Sequence, residues 1–463
     1  MNTNSQLAAA IAAVLGTVAG SAALAQSAAS PTQAANPDVS LYIAGSSAAA
    51  KGVLAALEAD LCGNSYLLYS STSNKNFFAV SCKPATNVAG ADGNSVYTVW
   101  YRDEGGSVVG ALPMVTGYKP KQLDLTQLTA CASNPCTPTI LGVSTGNGID
   151  DSFSGALVNK AVDFGILDVE PSIFGLASKN NYPSAYSTAV WGSASLSNLT
   201  SLTYGELFDE VYGIFVNDTG LKEGGVAVSP SNPLSLSKAM VSNILTKSVT
   251  NWSLVTDTNG NAVASSSIPI VIVNREQGSG SRAATDLLIT GDSCQAAGKP
   301  LSEQLPITKQ GNPNVDYFAT GDVLGAANTI TGAITYATID QSASNLSIVA
   351  LNGVSPTNSG NSGGNAAAAT GQWDFWVEAT YVVNPTETFT SAQSSLITYL
   401  TSQLQNVGTA PHVADVLAIP TSANGSSVAL TPNTAAAALG GATIYVNPFT
   451  RSGVTCNIPG YVP

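Results

Sequence analysis

Ile268-Pro-Ile-Val-Ile-Val-Asn-Arg-Glu-Gln-Gly-Ser-Gly-Ser281 carries an apolar run directly into a turn of small residues. Ser267–Asn274 has the β-branched content of a buried strand, and Ala283–Ile289 continues at helical spacing. Strand, small-residue turn and helix, in that order, form the unit from which α/β folds are built. The turn sets the Arg275 guanidinium beside Gly278-Ser-Gly-Ser281. A helix start presents unpaired N–H groups there, glycine lets a ligand come close, and serine adds a hydroxyl donor. Such a turn holds an anion or simply caps its helix, and taken alone it fits both uses.

The unit recurs along the chain. Val39–Ile43 reads as a strand, Ala44-Gly-Ser-Ser47 as the turn and Ala48–Leu61 as the helix. Thr139–Val143 is a second strand, followed by the turn Ser144-Thr-Gly-Asn-Gly148 and a helix over Asp150–Lys160. Ala161–Ile166 is then a strand running to Asp168. Helix signals occupy Leu202–Leu207, Leu234–Leu245 and Ala392–Leu404, and strand signals Gly213–Val216, Thr380–Val383 and Ala442–Val446. Between Cys62 and Pro138 the rhythm breaks, and the short strand-like runs Tyr66–Tyr69 and Ser95–Tyr101 read as an insertion. Its aromatic residues (Tyr66, Tyr69, Phe77, Phe78, Trp100, Tyr101) fit a small satellite core or a contact surface. Asn358–Thr370 is a Gly/Ser/Asn/Ala tract of surface-loop type.

With 463 residues the chain has length for a bilobed unit and a sizeable core. Only 10% of residues are charged, and the formal net charge is −13. An acidic field of that sign disfavours nucleic acid and anionic membranes, so an anion must be held by local dipoles and a few placed donors. Leu7–Ala25 is apolar or small throughout and ends Ala23-Leu-Ala25, a small-x-small site, so residues 1–25 read as a cleaved export signal. No later run reaches the ~18 apolar residues of a membrane span. In an exported chain the six cysteines read as disulfides. Cys131 with Cys136 makes a local loop and Cys62 pairs with Cys82, which leaves Cys294 for Cys456.

Catalysis and metal chemistry find little support. His412 is the one histidine, so a serine nucleophile would lack an obvious base, and metal sites of several His and Asp lack ligands. Gly278-Ser-Gly-Ser281 has neither the lysine nor the spacing of a nucleotide P-loop. Asp150-Asp151 and Asp209-Glu210 read as solvated helix starts rather than acid/base pairs.

Arg275-Glu-Gln-Gly-Ser-Gly-Ser281 resembles the Arg-x-x-Gly-Ser-Gly-Thr signature of the periplasmic phosphate-binding proteins of ABC transporters, type 2 periplasmic binding proteins. Ile43-Ala-Gly-Ser-Ser47 resembles that family's first anion turn, Gly142-Val-Ser-Thr-Gly146 its second, and Val162-Asp-Phe-Gly-Ile-Leu-Asp168 the segment ending in its ligand-binding aspartate. Ile244–Trp252, Gly332–Tyr336 and Leu351–Thr357 match further segments in the same order. Serines at 47 and 281 stand where the family has threonines, and Ala48 where an aromatic is common.

The resemblance implies an α/β, bilobed periplasmic-binding-protein-like fold: two α/β lobes with a hinge, plus a disulfide-bearing insertion at about 62–138. Lobe one would be 38–212 and 378–463, and lobe two 213–377. It implies inorganic phosphate as ligand, with contacts from Ser47, Ser144, Asp168, Arg275, Ser279, Gly280 and Ser281. It also implies a non-catalytic periplasmic or secreted protein, without metal or cofactor, that serves an ABC permease of the inner membrane. The neutral-polar composition and the insertion favour the alternative, a secreted or surface protein that reuses the fold for structure or adhesion.

Overall fold

The computed structural model describes residues 27–71, 76–141, 154–175, 196–276, 278–291, 317, 319–356, 366–405, 416–418, 435–439, 442–447 and 449–461. The export signal, Ser144, Gln277, Cys294 and His412 lie outside the described residues.

The fold is mixed α/β, and its principal strands are β1 (Val39–Gly45), β2 (Phe77–Lys83), β3 (Tyr97–Arg102), β4 (Phe164–Leu167) and β5 (Tyr204–Asn217), then β6 (Val271–Ile272), β7 (Ala333–Thr338), β8 (Leu346–Ile348) and β9 (Trp376–Val383). Helices α1 (Ala50–Ala56), α2 (Lys238–Leu245), α3 (Gly280–Thr285), α4 (Thr320–Thr329) and α5 (Ser391–Gln405) pack among them. In the first part of the sheet the order is β2-β3-β1-β4-β9-β5, with β1 parallel to both β3 and β4. β6, β7 and β8 make the second part, where β7 and β8 pair antiparallel with β5 and β6 runs parallel to β7.

β5 belongs to both parts. From Tyr204 to Val211 it pairs antiparallel with β9, and from Tyr212 to Val216 with β7. Val, Ile, Tyr and Phe give its far half strong β preference. It is buried on both faces from Leu207 onward, so no alternation marks it. This strand overturns the helix expected at Leu202–Leu207. It also overturns the solvated reading of Asp209 and Glu210, which are wholly buried at mid-strand. Asp209 accepts a hydrogen bond from Asn447 Nδ2 at 2.7 Å, and Glu210 one from the Tyr212 hydroxyl at 2.9 Å.

The segment expected to be an insertion carries its disulfides and also supplies strands to the main sheet. β2 and β3 lie within it, β3 runs in register with β1 from Tyr97↔Val39 to Arg102↔Ala44, and β2 pairs with β3. Five of its six aromatic residues lie on sheet strands, and Tyr69, Phe77 and Trp100 fill a smaller core cluster of the expected kind; Trp100 stacks on Tyr42 at 4.5 Å and Phe78 on Tyr101 at 5.0 Å. The run Ser95–Tyr101 was legible as a strand, but its partner β1 lies across more than fifty residues of chain. The helix expected over Asp150–Lys160 is also replaced. Its described residues form Ser154–Gly155 and Leu157–Asn159, which pair with Ile140–Leu141 and Lys121–Leu123. Cross-strand pairing outweighs local propensity there.

Helices α2 and α5 follow their sequence signals. Ser237 caps α2 by accepting from Met240 N at 3.1 Å, and Thr390 and Gln393 close a reciprocal capping box at the start of α5. Leu396, Leu400 and Leu404 recur every four residues on α5 and are buried against Leu41, Ile43 and Phe208. Each contributes about 2 kcal/mol of apolar burial. Disulfides join Cys62 to Cys82 and Cys131 to Cys136, as expected, and Cys456 is also disulfide-bonded. Among the described residues no helix is long and apolar enough to cross a membrane.

Candidate anion site

β1, β3 and β4 run parallel and end at one edge of the sheet, where the turns that follow them gather. β1 ends at Gly45, with φ +137°. A Cβ there would lie 1.9 Å from the Ile166 carbonyl oxygen, so only glycine lets β1 and β4 stay paired through this turn. Ser46 is buried and spends its groups on the turn itself. Its Oγ accepts from Ala48 N and Ala49 N at 3.0 Å each, and its carbonyl accepts from the Tyr101 hydroxyl at 2.6 Å. Ser47 is left to face outward from the strand end.

Three side chains meet at Ser47. Arg275 Nη1 donates to Ser47 Oγ at 3.2 Å and to Thr320 Oγ1 at 3.0 Å, and the two hydroxyl oxygens lie 3.0 Å apart. Arg275 is 1% exposed, and its main chain is fixed as firmly as its side chain. Its N–H donates to the Tyr336 hydroxyl at 3.3 Å, and its carbonyl accepts from Arg282 Nη1 at 2.9 Å. Arg275 Nη2 lies 3.8 Å from Glu276 Oε1.

A second junction forms at Asp168, also 1% exposed. Its Oδ1 accepts from Ser107 Oγ and its Oδ2 from Ser281 Oγ, both at 3.0 Å, and its N–H returns a bond to Ser107 Oγ at 3.2 Å. Ser281 lies in the first turn of α3, which Ser279 caps by accepting from Arg282 N at 3.3 Å. Gly280 makes the approach possible, because a Cβ there would stand 2.4 Å from Ser107 Oγ and 2.6 Å from Asp168 Cβ. Nearby, Val108 N donates to the Gly278 carbonyl at 3.0 Å, and Lys51 forms an ion pair with Asp340.

Six of the seven residues named from sequence are thus described. Ser47 with Arg275, and Asp168 with Gly280 and Ser281, are in direct contact, and Ser279 holds the start of α3. Ser144 lies outside the described residues. Sequence reasoning missed Ser107 and Thr320. A signal for Ser107 was present, since β3 runs through Gly105-Gly106 into it, the same strand and small-residue turn as elsewhere. It was passed over because it falls inside the supposed insertion. For Thr320 no signal exists beyond its place at the start of α4.

The electrostatics combine buried guanidinium groups with buried carboxyl groups. Burial pushes the Asp103 carboxyl up to about 8, with Glu104 adding to the shift and Arg275 opposing it. The Tyr101 and Tyr212 hydroxyls are raised well above the ordinary phenol range, first by burial and then by surrounding carboxylates that include Asp168. Hydroxyls of Ser47, Ser107, Ser281 and Thr320, with one guanidinium, make a cluster rich in donors. Such donors can turn from their present partners, one another or Asp168, to a small oxyanion. Asp168 offers that oxyanion only acceptors.

Residues 220–403 match a family model described as a PBP superfamily domain. No curated protein matches the chain. Among solved structures the chain is similar to a putative phosphate ABC transporter substrate-binding protein with bound phosphate from Clostridium perfringens. Identity is 13% over 78% of this chain and 92% of that one, with a TM-score of 0.40. An ABC-type phosphate transport receptor from Vibrio cholerae matches at 12% identity over 78% and 93%, TM-score 0.36. A phosphate-binding protein from Stenotrophomonas maltophilia matches at 12% over 80% and 84%, TM-score 0.38.

Proposed function

We propose, with the PBP superfamily domain of residues 220–403 as premise, that this chain is an exported binding protein for phosphate or a similar protonated tetrahedral oxyanion. The ligand sits between the Ser47, Ser107 and Asp168 side and the Arg275 to Ser281 side. The observation that carries the reading is Asp168: a buried carboxylate held between the Ser107 and Ser281 hydroxyls, the second of them at the start of the helix that follows Arg275. An entering anion takes over donors that Arg275, Ser47 and Thr320 now share among themselves and that Ser107 and Ser281 now give to Asp168. Ser144 stays in the proposed ligand set.

Selectivity follows from Asp168. A carboxylate facing an oxyanion is repulsive unless the ligand brings a proton to share. Phosphate and arsenate carry one at neutral pH and sulfate does not, so sulfate leaves two buried acceptors facing each other. A ligand that touches both sides favours the closed arrangement by its differential contacts. The chain performs no chemistry on its ligand in this reading, and delivery to an ABC permease is its use. Isothermal calorimetry with phosphate, arsenate and sulfate tests it. Phosphate and arsenate should bind and sulfate should not, and absence of binding by all three refutes the reading.

A further inference from the structure

Asp103 is the first residue beyond β3, at the sheet edge where the anion site is built. The register Arg102↔Ala44 sets it beside Gly45, and four residues later the same turn delivers Ser107 to Asp168. The turn is tight and pressed onto the opposite side: Gly106 N donates to the Asp103 carbonyl at 3.3 Å, and a Cβ on Gly106 would meet Ser279 Cα at 3.0 Å. Asp103 is 7% exposed, and its Oδ1 is buried without a hydrogen-bond partner, although its N–H is satisfied by the Asn76 carbonyl. Leaving a buried carboxylate oxygen unmatched is costly, and the cost falls if the group is a neutral acid or gains a partner.

The charges facing Asp103 are Glu104 from its own turn, Arg102 and the Tyr101 hydroxyl from β3, Arg275 from the segment after β6, and Asp322 from α4. Arg102 gives its Nη1 and Nε to the carbonyls of Lys121 and Glu104, and Glu104 accepts from Asn76 Nδ2. With Glu276, 3.8 Å from Arg275 Nη2, four carboxyl groups therefore share two guanidinium groups, one of them Arg275. A further anion on Arg275 would add negative charge to a cluster already short of positive charge.

We infer that Asp103 is a specificity-determining residue of the anion site, and that the oxyanion is bound together with one proton shared between the Asp103 carboxyl and a ligand oxygen. The inference rests on the proposed oxyanion reading and deepens it. Asp168 requires a proton that the ligand brings, whereas Asp103 supplies one from the protein side. In the free protein the carboxyl loses its proton near pH 8, and the adjacent anion raises that point further. Affinity is then full below about pH 8 and falls about tenfold for each pH unit above it.

The test is calorimetric titration with inorganic phosphate between about pH 8.5 and about pH 9.5, where phosphate is almost wholly the dianion. It compares the full chain with Asp103→Asn, which keeps a donor and cannot titrate. The wild-type Kd should weaken about tenfold over that interval and that of the variant less than about threefold. Parallel weakening of both, or a flat wild-type profile, overturns the inference while leaving phosphate binding intact. Titration of the wild type at about pH 9 in two buffers of different ionisation enthalpy decides the matter if the variant does not fold. Uptake of close to one proton supports the inference, and uptake close to zero overturns it. If the wild type binds no phosphate at any pH, the oxyanion reading itself fails and the inference falls with it.

Discussion

Gly280→Ala would put one methyl group into the tightest contact between the two sides of the site. The new Cβ would lie 2.4 Å from Ser107 Oγ, 2.6 Å from Asp168 Cβ and 2.7 Å from Asp168 Cγ. Comfortable carbon contacts begin at about 3.5 Å, so the surfaces must part by roughly 1 Å. Ser107 cannot simply rotate away, because its Oγ both donates to Asp168 Oδ1 and accepts from Asp168 N. Asp168 Cβ is fixed to main chain at the end of β4. A separation of that size stretches the Ser281–Asp168 bond from 3.0 Å to about 4 Å, beyond hydrogen-bonding reach. Overpacking of one methyl group costs about 1–3 kcal/mol. Because the strain can be relieved by parting the two sides, it should fall on ligand affinity rather than on folding. Phosphate binding should weaken about 5- to 150-fold, while the ligand-free melting temperature drops by no more than a few degrees. Calorimetry paired with thermal unfolding reads both quantities. Affinity within about twofold of wild type would refute the close approach on which the site is built.

Asp168→Asn replaces one acceptor oxygen with a donor at the same position. Phosphate affinity should fall and the phosphate-to-sulfate ratio in competition calorimetry should drop, whereas an unchanged ratio removes Asp168 from the site. Replacing Cys62 and Cys82 together by alanine opens a loop of 20 residues, for which chain entropy predicts a loss of about 3 kcal/mol. A urea midpoint that does not move would show that the bridge leaves folding unaffected. Stability should also depend on pH in an unusual direction. Burial raises Asp163 to about 6 and Asp103 to about 8, and also raises Glu170 and Asp209. Raised carboxyls contribute stability fully below their unfolded values near pH 4 and lose it as pH climbs through about 6 and about 8. Asp124 and Asp257 are shifted down by hydrogen bonds from Thr126 and Asn261, although burial opposes them, and they act in the opposite sense below pH 4. The ligand-free melting temperature should therefore be higher near pH 5 than near pH 9, and a maximum at pH 8 or above would contradict the buried carboxyls.

What the sequence disclosed, and what it withheld, divides along a physical line. The strand at Val39, the helices at Ser237 and Ser391 and the turns at Gly45 and Gly278 are set by local rules: β-branched runs, caps, and glycine where side chains collide. Those could be read directly. Of β5 only Gly213–Val216 could; its first half could not, because the strand that pairs it, β9, lies more than a hundred residues away. Seen alone, Asp209 and Glu210 looked like solvent-facing charges. β3 was legible at Ser95–Tyr101 but its place beside β1 is a tertiary fact, and β2 was not read as a strand at all. Ser107, in the turn after β3, was passed over with them. The family resemblance offered Ser144 for that role, and Ser107 is the serine seen on Asp168.

The sharing of β5 limits how the halves of the molecule can move. Val211 is the last residue laddered to β9 and Tyr212 the first laddered to β7, with no linker between them. Tyr212 is pinned on both sides, its N–H donating to the Phe375 carbonyl and its own carbonyl accepting from Trp373 Nε1, each at 2.9 Å. β5 runs unbroken from one region into the other, so they cannot swivel as on a loose tether. Relative rotation has to be absorbed as extra twist along a few peptide units, which behaves as a stiff torsion spring with a restoring torque and a small arc. Ligand-driven closure in such a molecule would be shallow and fast to reverse, and softening Tyr212 would widen the arc without touching a single ligand contact.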